Sequence, residues 1–140
     1  MECHLPRITI HYEEVGEGKP FLIVSGAPGD HRIIASWLEP LFEHRPGWRR
    51  IYFDLPGTGQ TPGADWIRGS DGMLDVVCDF SDALIPAQPF TLLGLSYGGY
   101  LARGVVHRLA ERVDGLCLLV PWLSDHAGQT LPEPATFVKD

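Results

Sequence analysis

Apolar residues recur along this chain in three ways: alternating singly, in short unbroken runs, and at helical spacing. These patterns predict half-buried strands, fully covered strands and amphipathic helices in turn. Arg7 to Val15 alternates apolar and polar side chains and predicts a half-buried strand. Gly16 to Pro20 predicts a turn, and Phe21 to Val24 is an unbroken apolar run that suits a strand covered on both faces. Ser25 to Gly29 breaks that run, and Ile33, Ile34, Trp37, Leu38, Leu41 and Phe42 then recur at helical spacing. Arg50 to Phe53 predicts another covered strand, followed by a Pro/Gly-rich loop that begins at Asp54.

Ser70 or Asp71 suits the cap of a helix carrying Met73, Val77, Phe80 and Leu84 on one face, closed by Pro86 and Pro89. Phe90 to Leu93 predicts a strand. Leu101, Val105 and Leu109 repeat every fourth residue beyond it, with Arg103, Arg108 and Glu111 turned outward. Gly115 to Val120 predicts a last buried strand, and the segment from Asp125 to Asp140 reads as a loop or a lead-in. Strands alternating with helices predict an α/β fold: a mostly parallel sheet with helices on both faces. All 140 residues fall within one domain, with no internal repeat.

Composition narrows the partners. The chain is 44% hydrophobic and 21% charged, enough for a real core, and its formal net charge is −7. With Arg49-Arg50 as the only adjacent basic pair, neither nucleic acid nor an anionic membrane is an expected partner. Cys3, Cys78 and Cys117 show no C-x-x-C spacing; Cys78 and Cys117 are expected to be buried small hydrophobes. Of Trp37, Trp66 and Trp122, at least two are expected in the core. The start of the chain lacks the regions of a signal peptide, and Pro121 interrupts the longest apolar run, so a soluble cytoplasmic protein is expected. Gly57-Thr58-Gly59 lacks the third glycine of a dinucleotide loop, and Asp71, Asp75, Asp79 and Asp82 read as a solvated helix face. No cofactor and no metal is expected.

Candidate chemistry centres on Gly94-Leu95-Ser96-Tyr97-Gly98, a G-x-S-x-G sequence between a predicted strand and a predicted helix. A strand-to-helix turn that sharp crowds the positions two before and two after the serine, so Gly94 and Gly98 have a steric task. The turn lifts the hydroxyl out of the backbone and sets the first helix amides beside it, where negative charge is stabilised.

Three loops, each after a predicted covered strand, together resemble those of the α/β-hydrolase superfamily in its small esterase and peptidase-like branch. Ser25-Gly26-Ala27-Pro28-Gly29 is similar to the family's H-G-x-P-G loop. Asp54-Leu55-Pro56-Gly57-Thr58-Gly59-Gln60-Thr61 is similar to its D-x-P-G-x-G-x-S loop, and residues 94–98 match its nucleophile elbow. The resemblance implies that Ser96 attacks an acyl carbon, with an oxyanion hole made by the backbone N–H groups of Ala27 and Tyr97. Pro28 has no N–H to offer. The Asp54 loop would wall the site without entering the chemistry. A serine at the elbow argues against haloalkane dehalogenases and epoxide hydrolases, which place an aspartate there.

Two departures follow. Ser25 stands where the family carries a histidine that helps hold the first loop, which implies a less rigid loop. The family's triad also runs Ser…Asp/Glu…His, with the histidine after the last strand. The resemblance therefore covers about the first half of an incomplete α/β-hydrolase fold, without the cap and C-terminal strands. His107 lies eleven residues beyond the serine, roughly 16 Å along a helix, and cannot serve as base. His126 reaches the site only if the tail folds back. Asp125 falls near a position where some members carry the triad acid, but reads first as a turn aspartate. His4, His11, His31 and His44 come from the wrong part of the chain for the family's base. The expected activity is thus that of a serine hydrolase, inactive as this half alone. A non-catalytic module that associates with another copy through the edge strand 115–120 is the alternative, and a portion of a longer protein is a third reading.

Overall fold

The computed structural model describes residues 1–123. Its strands are β1 (Glu2–His4), β2 (Thr9–Val15), β3 (Lys19–Val24), β4 (Trp48–Phe53), β5 (Phe90–Leu95) and β6 (Val113–Leu119). Its helices are α1 (His31–Phe42), α2 (Ser70–Leu84) and α3 (Tyr97–Arg108). One sheet holds all six strands in the order β1-β2-β4-β3-β5-β6. β3 pairs in parallel with β4 and β5, and β5 with β6, whereas β1–β2 and β2–β4 are antiparallel.

Alternation along the central strands sorts the core into two layers. Leu22, Val24, Ile51, Phe53 and Leu92 pack on one face with Val77 and Phe80 of α2 and Leu101 and Val105 of α3. Phe21, Ile23, Tyr52 and Leu93 pack on the other with Ile34 and Leu38 of α1. Central strands need both faces covered, which is why β3 and β4 read as unbroken apolar runs.

Several expectations are corrected. β1 carries too short a pattern to be read from sequence, and pairs Cys3 with Ile10. The N-cap of α2 is Gly69 and makes no side-chain bond, so neither Ser70 nor Asp71 caps it. α3 ends at Arg108 with Leu109 as its C-cap, which leaves Glu111 outside the helix. β6 begins at Val113 and ends at Leu119, and Val120 beyond it has a left-handed φ of 37°. It is not a buried strand: Cys117 is exposed and Leu116 is 44% exposed, because β6 pairs on one side only among the described residues. Trp37 and Trp122 are also largely exposed, leaving Trp66 alone of the three packed against the core.

The four aspartates of α2 lie in solvent as expected, but not idly. Asp75 pairs with Arg108 and Asp82 with Arg112, tying α2 to α3 and to the turn before β6. No helix among the described residues is long and apolar enough to cross a membrane.

Candidate active site

β5 ends at Leu95 and α3 begins at Tyr97, so Ser96 alone makes the turn, at φ 51° and ψ −114°. A side chain is rarely found there, and the surroundings must hold it. Its N–H donates to the carbonyl of Leu119 at 2.9 Å. Its own carbonyl accepts from Gly99, Tyr100 and Trp122 at 3.0, 3.2 and 3.0 Å. The end of β6 and the segment after it therefore clamp the turn from outside. The hydroxyl makes no capping bond to α3.

The glycines make the bend possible by packing. A Cβ on Gly94 would stand 2.6 Å from Gly99 Cα, and one on Gly98 would collide with the carbonyls of Val24 and Ser25. The start of α3 thus lies directly on the end of β3.

The loop after β3 is brought to the same place. A Cβ on Gly26 would stand 3.2 Å from the Cβ of Ser96, and Ala27-Pro28 is a cis peptide. Gly26, Ala27, Pro28, Ile33, Leu95 and Ser96 line a shared cavity of about 250 Å³. Among the described residues, neither the Ala27 nor the Tyr97 amide has a hydrogen-bond acceptor. Main-chain N–H groups without acceptors are the kind of donor that stabilises developing negative charge, and here two of them belong to residues beside the Ser96 hydroxyl.

His31 was assigned no role by sequence, and it proves central to the loops. It opens α1, is 1% exposed, and sends both its backbone N–H and its Nδ1–H to Asp54 Oδ1, at 3.0 and 2.7 Å. Asp54 Oδ2 accepts from the amide of Gln60 at 2.8 Å. Asp54, at the end of β4, thereby ties the start of α1 to the turn at residue 60. Asp30 caps α1 by accepting from the Arg32 amide at 3.0 Å, and its hydrogen bonds with Arg32 hold its carboxyl below the usual carboxylate range. The first loop is consequently anchored from His31. Ser25 contributes nothing to this: it is 2% exposed and its hydroxyl has no partner among the described residues. The less rigid loop implied by a serine there is offset six residues later, by a histidine that follows no recognised motif.

His107 lies exposed in the last turn of α3, at the opposite end from Ser96. Asp125 and His126 lie outside the described residues. A separate cavity of about 270 Å³ between the N-terminal segment and α2 contains Cys78, whose thiol is pushed up by burial, the reverse of activation.

The comparisons with known proteins agree with this architecture. Over 110 residues, 78% of this chain, it is 32% identical to a pimeloyl-[acyl-carrier protein] methyl ester esterase of Legionella pneumophila (strain Corby). An alpha/beta superfamily hydrolase from Oenococcus oeni PSU-1 superposes with a TM-score of 0.77 at 28% identity, covering 99% of this chain and 54% of that one. A thermophilic esterase from Thermogutta terrifontis superposes at 0.69 with 30% identity, covering 79% of this chain and 40% of that one. The chain spans 41% of the length of the Legionella relative. The family model described as alpha/beta hydrolase fold matches residues 19–137. With that match over most of its length, on a mostly parallel sheet with helices on both faces, the chain belongs to the alpha/beta hydrolase fold family.

Proposed function

We propose that this chain carries the nucleophile half of a serine hydrolase of the esterase type, acting on an ester, amide or related acyl bond through Ser96. The observation that carries the reading is the turn at Ser96, φ 51°, opening onto a cavity shared with Ala27. A base supplied from outside the described residues takes the Ser96 hydroxyl proton as the oxygen attacks the acyl carbon. The carbonyl oxygen takes the negative charge, the amides of Ala27 and Tyr97 stabilise it, and the same proton returns to the leaving group. Collapse of that intermediate expels the alcohol or amine, and water then releases the acid. The Legionella relative and the Thermogutta structure, both named as esterases, support an ester ahead of an amide.

A serine hydroxyl is a weak nucleophile without a base. Among the described residues no histidine lines the cavity at Ser96, and on this reading the chain lacks its own base and is nearly inactive by itself. Fluorophosphonate labelling tests this, with imidazole added as an external base. Labelling is near background without imidazole, rises with it, and vanishes in Ser96→Ala. Labelling that ignores Ser96, or none at any imidazole concentration, overturns the nucleophile. Strong labelling without imidazole overturns the inactivity.

A second reading rests on β6. Its outer edge is unpaired among the described residues, and Leu116, Val120, Trp122 and Leu123 beside it are exposed. Such an edge favours pairing with a second copy of the chain, as a non-catalytic module that works by association. Light scattering at micromolar concentration separates the two: a monomer removes the second reading.

A further inference from the structure

On the antiparallel side of the sheet, strand alternation puts His11 and Glu13 of β2 on one face, two residues apart. His31, at the start of α1, meets them there. Its ring centroid lies 5.7 Å from that of His11, and its Nε2 lies 3.4 Å from Glu13 Oε1. One donor atom from each of the three residues falls within 4.8 Å of the others.

The state of His31 makes this more than a coincidence of surface groups. In the neutral tautomer that donates Nδ1–H to Asp54, at 2.7 Å, the ring's lone pair lies on Nε2. That nitrogen is buried and has no hydrogen-bond partner, on a side chain 1% exposed. Buried nitrogen lone pairs are rarely left so. A carboxylate behind an imidazole, fixing its tautomer and raising its basicity, is the arrangement that supports metal-ligating histidines. The 3.4 Å between His31 Nε2 and Glu13 Oε1 matches the roughly 3.4 Å that separates two ligands at about 2.0–2.1 Å on a tetrahedral ion, and the His11 donor has to close in from within 4.8 Å.

We propose that His11, Glu13 and His31 form a binding site for one divalent d-block cation of the Zn²⁺ type, with Asp54 orienting His31 from behind. Two imidazoles and one carboxylate suit zinc, copper, nickel or cobalt, whereas magnesium and calcium prefer oxygen donors. Glu13 is 55% exposed, so the site has an entry path and room for its carboxylate to adjust. Gln60 Nε2 lies 3.0 Å from His11 Nε2. On binding, the Gln60 amide either turns its oxygen to that ring's N–H or gives the nitrogen up. The neighbouring group of Asp30, His31 and Asp54 is not a second site, because its oxygens already accept from Arg32, His31 and Gln60. The cation would join β2 to α1 and, through Asp54, to the turn at residue 60. It takes no part in the chemistry proposed for Ser96.

Titration of the 140-residue chain with ZnCl₂ and with CoCl₂ at neutral pH tests the site. One equivalent binds, and cobalt gives visible bands of nitrogen and oxygen ligation without thiolate charge transfer, which excludes Cys117 as the donor. Glu13→Gln and His11→Gln each weaken binding about tenfold or more. His31→Gln abolishes it; should that variant fail to fold, the two β2 variants carry the test. Zn²⁺ also raises the melting temperature of the parent chain, and the variants lose that shift. Absence of stoichiometric binding overturns the site, leaving a proton as the only occupant of Nε2. Binding unchanged in both β2 variants also overturns it.

Discussion

The backbone amide and the Nδ1 of His31 converge on a single oxygen of Asp54, at 3.0 and 2.7 Å, with both side chains 1% exposed. Removing that oxygen strands two buried donors, and removing the carboxyl strands the Gln60 amide as well. Each buried donor left unmade costs about 1–3 kcal/mol. Asp54→Ala therefore destabilises the chain by about 3 kcal/mol or more, seen as a fall in the urea midpoint. Asp54→Asn keeps one carbonyl oxygen for His31 and costs less. Equal midpoints for the parent and Asp54→Ala would show that the loops are held by something else.

Ser96 is held at a φ of 51°, where a side chain costs about 1–3 kcal/mol. Glycine removes that cost and adds about 0.5–1 kcal/mol of unfolded-chain entropy. Ser96→Gly thus raises stability by about 1 kcal/mol while abolishing imidazole-dependent labelling, and Ser96→Ala leaves stability unchanged. A lower melting temperature for Ser96→Gly would mean that the turn is not under strain.

Arg50, 7% exposed, donates to both oxygens of Glu39 at 2.7 and 2.8 Å, and the Tyr52 hydroxyl donates to the same carboxylate. The Arg50 hydrogen bonds, with a smaller share from Tyr52, hold the Glu39 carboxyl below its ordinary value of 4.5. Its folded pKa lies below its unfolded one. The contribution is therefore fully present above pH 4.5 and is lost as pH falls through the folded value. Glu39→Gln costs about 1 kcal/mol at pH 7, discounted for partial exposure, and the difference from the parent is smaller at pH 3 than at pH 7. Urea midpoints at the two pH values measure it. A gap that stays constant would remove Glu39 as its source.

Much of this architecture is legible in residue order because its signals are local. The covered runs at Phe21–Val24 and Arg50–Phe53 and the glycine spacing around Ser96 carry their own steric reasons. What was misread depends on neighbours that order does not reveal. Cys117 lies in an apolar run but faces solvent, because no strand among the described residues pairs beyond β6. Ile33, Trp37 and Leu41 share helical spacing with Ile34 and Leu38, yet only the latter two are turned to the sheet. His31 reads from sequence as no more than a loop histidine for a related reason. Its partners sit at positions 11, 13 and 54, and only sheet pairing and the entry of α1 bring them together.

The carbonyl of Ser96 is closed by an amide that comes twenty-six positions later, at Trp122, and its N–H by the carbonyl of Leu119. A nascent chain leaving the ribosome therefore cannot set the aim of that hydroxyl when the elbow itself emerges. The Ser96 hydroxyl is fixed only after the last described strand has been synthesised and has docked, so premature chains carry the motif without the geometry.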